Sequence, residues 1–362
     1  MTLMFHYITS DNAQVLPDLR KTVLPPAGLP AARRRGYSSG TTNKKYRRNI
    51  PMTDSIIERR AAADAEADAI FYEYSKAANP IGAKIISRVP YHIFPASLYQ
   101  DGETRVVPLD LSEALASPVP ATGPGLLANF IRVNAGESLA LDPLATSQIF
   151  YVIDGSGRAE QDGQRIALEK GAFLALPGGL PATLSADATL KLYYVNDAPL
   201  LDYLGATSVT PRFRPTLYEA GRAAAELRRA AEEKEAASRS RISVLLGNAN
   251  FPHTRTVTHV LWAMYGTLPA HSVQKPHRHQ SIALDFIVDC PPGCYTLVGT
   301  RLDESGAIAD ATRVDWAPGM SFVTPPGYWH AHINESGQAA TLIPIQDAGL
   351  QTWLRALDIR FT

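Results

Sequence analysis

The sequence predicts a mainly β protein with two successive barrels of short antiparallel strands. A helical arm precedes the first barrel and a connecting helix joins the two. Three observations carry this reading. Short apolar runs bounded by turn residues fill residues 126–196. Phe150-Tyr151-Val152-Ile153 is followed by Asp154-Gly155, then Asp162-Gly163, then Lys170-Gly171 ahead of Phe173-Leu174-Ala175-Leu176-Pro177. Close, regular strand spacing of this kind is the pattern of a β-sandwich or barrel. The same order returns between Thr256 and Ile345, with turns at Pro291-Pro292-Gly293, Glu304-Ser305-Gly306 and Pro326-Gly327. The offset is about 148 residues, from Gly171 to Gly319, which reads as an internal duplication. Between the two blocks, residues 216–240 are rich in Ala, Glu, Arg and Lys, with Arg222/Glu226 and Arg229/Glu233 at the i,i+4 spacing of a helix surface.

Each element follows in chain order. Residues 1–52 hold scattered prolines and a basic, Gly/Ser/Thr-rich run from Arg33 to Arg48, without the apolar core of a signal peptide. They read as a solvated or extended tail; Arg35-Gly36-Tyr37-Ser38 also suits the cleavage site of a transit peptide. Residues 53–105 form the helical arm. Ser55 and Glu58 have capping-box spacing at the start of an alanine-rich helix over 53–76, which ends in Phe71, Tyr72 and Tyr74. From Ile81 to Leu109 the pattern turns β-like and proline-broken. The first barrel is assigned to 106–205, the linker helix to 206–245 and the second barrel to 246–362.

Composition removes several function classes. A chain of 362 residues has room for two or three domains with real cores. Lys+Arg and Asp+Glu both number 35, so a nucleic-acid binder working by phosphate neutralisation and a polybasic membrane-surface protein are both disfavoured. No apolar run approaches the length of a membrane span. Two cysteines make no disulfide framework, and a reducing, cytoplasmic compartment is expected.

The histidines locate the chemistry. Seven of nine lie between His253 and His332, and all four tryptophans fall in the last third of the chain. In Pro276-His277-Arg278-His279 the two imidazoles share one face of a strand, because residues i and i+2 do. Further on stands Gly319-x5-Pro325-x-Gly327-x2-His330-x3-Asn334. Its glycines and prolines shape a turn that brings a second strand past the first and aims His330 at the same point. Three neutral imidazoles suit a borderline divalent metal such as Fe(II) and leave its other positions open.

These patterns resemble the two signature motifs of the cupin superfamily of small β-barrels. The second matches at every fixed position. In the first, His271 stands where a glycine is usual, and Ala283 or Leu284 stands where a glutamate ligand is usual, so a three-His site is expected. The stretches Pro276–Val288 and Thr324–His332 are similar to the metal-site strands of gentisate 1,2-dioxygenases, which also lack that glutamate. Phe71-Tyr72-Glu73-Tyr74 and the proline-rich approach to the first barrel are similar to their N-terminal arm. The resemblance covers roughly residues 70–362. It implies a bicupin and a homo-oligomeric, non-haem Fe(II) ring-cleaving dioxygenase, with O2 as co-substrate and a small gentisate- or salicylate-like aromatic acid as substrate. One departure is large. The family carries iron in its N-terminal barrel, whereas this chain has no histidine between residues 106 and 205. Laying the motif on Gly136 puts Asp142, Leu144 and Gln148 at the ligand positions. Gly171, Pro177 and Gly179 keep the later turns, but Ala182 replaces the histidine. The first barrel is therefore expected to be structural and the second to bear metal.

A three-His site leaves Fe(II) its full charge, free to take phenolate and carboxylate oxygens of one substrate. His332 shares the face of His330 and is expected to be a catalytic base or substrate contact; the reading that His332 rather than His330 is the ligand stays open. Asp285, six residues past His279, faces the metal by parity and is expected to orient an imidazole or accept a proton. Gln274, His259 and Trp329 are candidate pocket lining, His253 and Arg255 candidate carboxylate contacts, and Cys290-Pro-Pro-Gly-Cys294 a hairpin with buried thiols. Two other readings compete: an isomerase, lyase or decarboxylase using another divalent metal, and a non-enzymatic binding bicupin.

Overall fold

A computed structural model describes residues 68–234, 236 and 241–362. The expected tail over 1–52 and the helix start at Ser55 lie outside the described residues. Tyr72–Thr362 form one compact unit.

The first barrel is an eight-stranded antiparallel sheet curled on itself. Its path runs Arg105–Pro108, Leu127–Val133, Ala182–Asn196, Ser147–Gln161, Phe173–Pro177, Thr216–Tyr218. Ser138–Leu141 and Gln164–Glu169 pair onto the two long strands. Those long strands, Ser147–Gln161 and Ala182–Asn196, lose simple register between Val152 and Gly157. The irregularity bends them, so that each serves both walls of the barrel. Gly155 sits there at φ +85°, and a Cβ on it would lie 2.1 Å from the Thr189 carbonyl oxygen, so only glycine permits this approach. The interior is apolar: Ile131, Val133, Phe150, Leu174, Leu184 and Leu192 are fully buried together.

The second barrel is two facing sheets. One runs Ile93–Phe94, Ser321–Thr324, Ala283–Asp289, Ala340–Gln346, Trp262–Leu268, Ile242–Leu245. The other runs Thr312–Asp315, Cys294–Gly299, Trp329–Asn334, His277–Arg278, Arg360–Phe361, with Ser272–Val273 also on the Trp329–Asn334 strand. Gly171 and Gly319 both take positive φ two residues ahead of equivalent strands, which is the structural form of the repeat seen in the sequence.

Three expectations are corrected. The segment 53–105 is not a continuous helical arm: its described part has only Tyr74–Ala77 and Ser97–Gln100 as helix. Pro80, Pro90 and Pro95 interrupt the rest, and Ile93–Phe94 instead extends the second barrel's sheet beside Ser321–Thr324. Of the helix expected over 216–240, within the linker 206–245, the described residues form an α-helix over Arg222–Ala231, opened by Gly221 at φ +75°. Thr216–Tyr218 closes the edge of the first barrel and Ile242–Leu245 the edge of the second. Sheet edges recruit both ends of this run, because pairing satisfies backbone groups that a solvated helix end leaves open. Both thiols of the Cys290–Cys294 segment are free and buried, as expected, but the segment carries the chain from Ala283–Asp289 in one sheet to Cys294–Gly299 in the facing sheet instead of closing a hairpin.

The barrels share one core. Phe130, Tyr151, Phe173 and Tyr193 from the first meet Leu284, Phe286, Ile343 and Ile345 from the second. Tyr193 stacks on Phe286 at 5.0 Å, accepts from Ser321 Oγ at 3.1 Å and donates to the Leu284 carbonyl at 3.4 Å. Phe286 also meets Phe130 edge-on and Tyr151 at a tilt. Phe286→Ala is expected to destabilise the chain by about 3–5 kcal/mol, the usual effect of emptying a buried aromatic site. Urea unfolding is expected to show both barrels weakened in a single transition; loss of stability in one barrel alone would count against the shared core.

Candidate metal centre

The site begins with backbone pairing. His277 lies directly opposite His330, with His277–Arg278 running antiparallel to Trp329–Asn334. Alternation turns His277 and His279 inward, while Arg278 lies with its guanidinium 5.0 Å from the Trp329 ring. The Gly327 N–H donates to the His279 carbonyl at 2.7 Å, tying the turn of the second motif to the first. The imidazole of His330 is 4.0 Å from that of His277 and 5.0 Å from that of His279, centre to centre. One ligand nitrogen from each lies within 4.8 Å of the others, a group able to hold a metal ion, and all three residues are buried.

Hydrogen bonds fix which nitrogen is free. Nδ1 of His277 meets the Lys275 carbonyl at 3.3 Å, Nδ1 of His279 the Ser281 carbonyl at 2.8 Å, and Nδ1 of His330 the Tyr328 carbonyl at 3.1 Å. A carbonyl only accepts, so each Nδ1 carries the proton and each Nε2 keeps its lone pair. Burial, with neighbouring positive charge, holds His277 and His330 well below their usual range, and burial lowers His279. Three neutral imidazoles with free Nε2 atoms are the form that binds a divalent cation. By chemistry of its donor set, the site fits Fe(II) or a similar ion.

His332 is arranged differently. Its Nδ1 is 2.8 Å from Thr296 Oγ1, which also accepts from Trp316 Nε1 at 2.9 Å. Among the described residues no other acceptor takes the Thr296 hydroxyl proton, so it points to Nδ1 and the His332 proton sits on Nε2. His332 thus presents an N–H rather than a lone pair, and it stands outside the three-His group. The group contains His330.

The histidines open on a cavity of about 540 Å³, walled also by Arg241, Trp262, Met264, Gln274, Asp285 and Phe361. Asp285 is buried, and desolvation pushes its carboxyl up to about 6 against the pull of Arg241. One of its oxygens accepts from Thr324 Oγ1 at 2.9 Å. It makes no bond to a ligand imidazole: backbone carbonyls do the orienting that was expected of it. Arg241 donates from Nε to Ser243 Oγ at 3.1 Å. Arg241 Nη2, Trp262 Nε1 and Gln274 Oε1 are buried without partners. Buried polar groups are nearly always paired, so three orphans around one cavity mark where a ligand's polar atoms belong.

The other candidates fall elsewhere. Trp329 carries Arg278 outside the cavity. His259 and His253 line a separate cleft, and Arg255 is exposed on its loop. In the first barrel, Asp142 and Leu144 are exposed, while Gln148 is buried and accepts from Tyr194 O–H at 2.8 Å. The three positions form no ligand cluster among the described residues. Arg241, Trp262 and Phe361 were missed by sequence reasoning. Trp262 carries a weak signal, since it alternates with Met264 on the strand Trp262–Leu268 and both line the cavity.

The buried histidines imply a pH dependence. Each has a folded-state pKa below the unfolded value of about 6.5. The stability linked to them is therefore full above pH 6.5 and is lost as pH falls through the lowered folded values. Urea titrations of metal-free protein are expected to show stability falling below about pH 6.5, with the triple variant His277→Ala/His279→Ala/His330→Ala showing a shallower fall. An unchanged slope in that variant would contradict this account.

No protein-family model matches the sequence, and no curated protein does either. Solved structures do. A single-site variant of salicylate 1,2-dioxygenase from Pseudoaminobacter salicylatoxidans, in complex with gentisate, superposes with TM-score 0.63 at 12% identity, covering 88% of this chain and 98% of that one. The structure determined for that dioxygenase itself gives TM-score 0.63 at 13% identity, covering 85% and 98%. A further variant gives 0.61 at 13%, covering 86% and 99%. The likeness is one of fold: two cupin barrels in tandem.

Proposed function

We propose that this chain is an Fe(II)-dependent dioxygenase that opens the ring of a hydroxylated aromatic acid of the gentisate or salicylate type. The observation that carries the reading is the donor set: three neutral imidazoles, each with Nε2 free, and no carboxylate ligand, at the wall of a cavity where Arg241 Nη2 has no partner. The solved structures of similar fold, which include gentisate complexes, support it. His277, His279 and His330 would hold the iron. Bound there, Fe(II) supplies a Lewis acid able to bring a chelating hydroxy acid and O2 together.

The remaining steps belong to the chain's own groups. Arg241 Nη2 receives an anionic oxygen of the substrate, a charge-assisted bond strengthened by burial. His332 Nε2–H donates to oxygen at the reacting face, while the Thr296 hydroxyl on its Nδ1 holds the ring in place. Asp285 accepts a proton from the substrate hydroxyl once ionised. Trp262, Met264 and Phe361 cover the ring and exclude water. Residues 106–205 serve as scaffold, and the active protein is a cytoplasmic homo-oligomer.

Oxygen uptake by anaerobically Fe(II)-loaded protein tests this. The panel is gentisate, salicylate, substituted salicylates, 1-hydroxy-2-naphthoate and homogentisate. Stoichiometric uptake with loss of aromatic absorbance is expected for at least one acid. Silence across the panel, with iron demonstrably bound, rejects ring cleavage of these acids.

A further inference from the structure

We propose that the cleft beside His259 is a second ligand site, separate from the three-His cavity, which takes a small aryl carboxylate bearing a free hydroxyl. The cleft has a volume of about 360 Å³, and its lining includes Arg212, Phe251, His253, His259, Leu350 and Trp353. That is the lower end of the size range of small-molecule pockets and suits a single ring. None of the lining residues is acidic, and Arg212 forms no ion pair among the described residues. A free guanidinium at the rim of an apolar cleft recognises a carboxylate, with two parallel N–H donors. Phe251, Leu350 and Trp353 provide the apolar walls. The Trp353 indole is 62% exposed, an unusual state for the largest apolar side chain unless something covers it.

The hydroxyl follows from His259. Its Nε2 is 2.9 Å from Thr146 Oγ1, and the Thr146 hydroxyl donates its own proton to the Asp197 carboxylate. Thr146 therefore accepts from His259, the imidazole proton is on Nε2, and Nδ1 is a bare lone pair. That Nδ1 is buried and has no partner. Burial and the charge of Arg212 keep the ring neutral. Phe213 and Phe251 pack against it from two sides, so the ring cannot turn freely to find another donor. A buried acceptor needs a donor, and a sulfate, fully ionised, has none to give, while a phosphate offers no ring to the aromatic walls. A hydroxyaryl acid meets all three requirements: carboxylate to Arg212, ring to the aromatic walls, hydroxyl to His259.

The test uses the full chain with His277→Ala and His330→Ala, so that the metal cavity contributes no chelated complex. Binding of 3- and 4-hydroxybenzoate, whose hydroxyls are not closed onto their own carboxylates, is followed by calorimetry and tryptophan fluorescence. One molecule per chain is expected for at least one isomer. Its methyl ether is expected to bind roughly tenfold more weakly or worse, and Arg212→Ala, at an exposed position, to weaken the acid by a similar factor. Three results overturn the proposal: no saturable binding at millimolar concentrations, equal affinity for acid and ether, or binding indifferent to Arg212→Ala.

Discussion

Replacing His277 by alanine is expected to lower bound iron from about one ion per chain to a small fraction and to reduce ring cleavage by about 10³-fold or more, without unfolding the protein. Two imidazoles cannot hold a divalent ion as three do, and the open positions become water-filled. The fold does not depend on this side chain, since His277 bonds only its own local backbone and the barrel is closed by strand pairing. His332→Ala is expected to behave in the opposite way. It retains iron, because its lone-pair nitrogen is occupied by Thr296 and its exposed nitrogen carries a proton. It loses about 10²–10⁴-fold in turnover, the usual range for a positioned proton donor or acceptor. Metal analysis and oxygen uptake on the same two samples decide between the residues. Iron lost from His332→Ala and retained in His330→Ala would reassign the ligand.

The legible part of this protein is the part fixed by spacing. His277 and His279 must share a face on any strand, and the glycine and proline positions of the second motif admit one turn, so spacing alone places His330 beside them. Gly171 and Gly319 expose the duplication because left-handed backbone is expensive for other residues. The parity argument that puts Asp285 toward the metal also holds for the cavity wall. It does not reveal the partner, because the choice between an imidazole and Thr324 depends on neighbouring strands. Arg241 is hidden for a different reason. It ends a run of Ala, Glu, Arg and Lys whose local preference is helical, and it stands immediately before Ile242–Leu245, whose pairing with Trp262–Leu268 brings it to the cavity wall. The partner of Ile93–Phe94 is hidden likewise: the stretch reads as β-like, but its pairing with Phe322 and Ser321 spans more than 200 positions. The proton positions on His330 and His332 have no sequence signal at all: two histidines of one motif differ because one meets a carbonyl and the other a hydroxyl.

Arg241→Met is expected to raise KM for aromatic acids by about 10–100-fold while leaving the uncharged carboxamide analogues almost unchanged. The guanidinium is buried beside the three-His group with Nη2 unpartnered, and a charge-assisted hydrogen bond contributes about 1.5–3 kcal/mol. Methionine keeps the length and the apolar contacts of the stem, so packing is preserved. The substitution also reaches Asp285. Arg241 is the charge that pulls the Asp285 carboxyl down against desolvation, and even so it stands near 6. In the wild type, activity that needs the ionised carboxylate is expected to fall as pH drops through about 6. Without Arg241 the pKa rises, so the acid limb is expected to move toward neutral pH. The stability effect has the sign of a raised carboxyl: the folded state holds a proton that the unfolded state has released, so this site's contribution declines as pH rises from about 4 to the folded value. Removing Arg241 extends that decline, and adding Asp285→Asn to Arg241→Met is expected to cancel it, because no buried charge is left unpaired. The KM defect is expected to persist in the double variant, since it reports the lost cation. Equal losses for acid and carboxamide, together with an acid limb unmoved by Arg241→Met, would remove Arg241 from both roles and leave the cavity's charge pair as a structural feature alone.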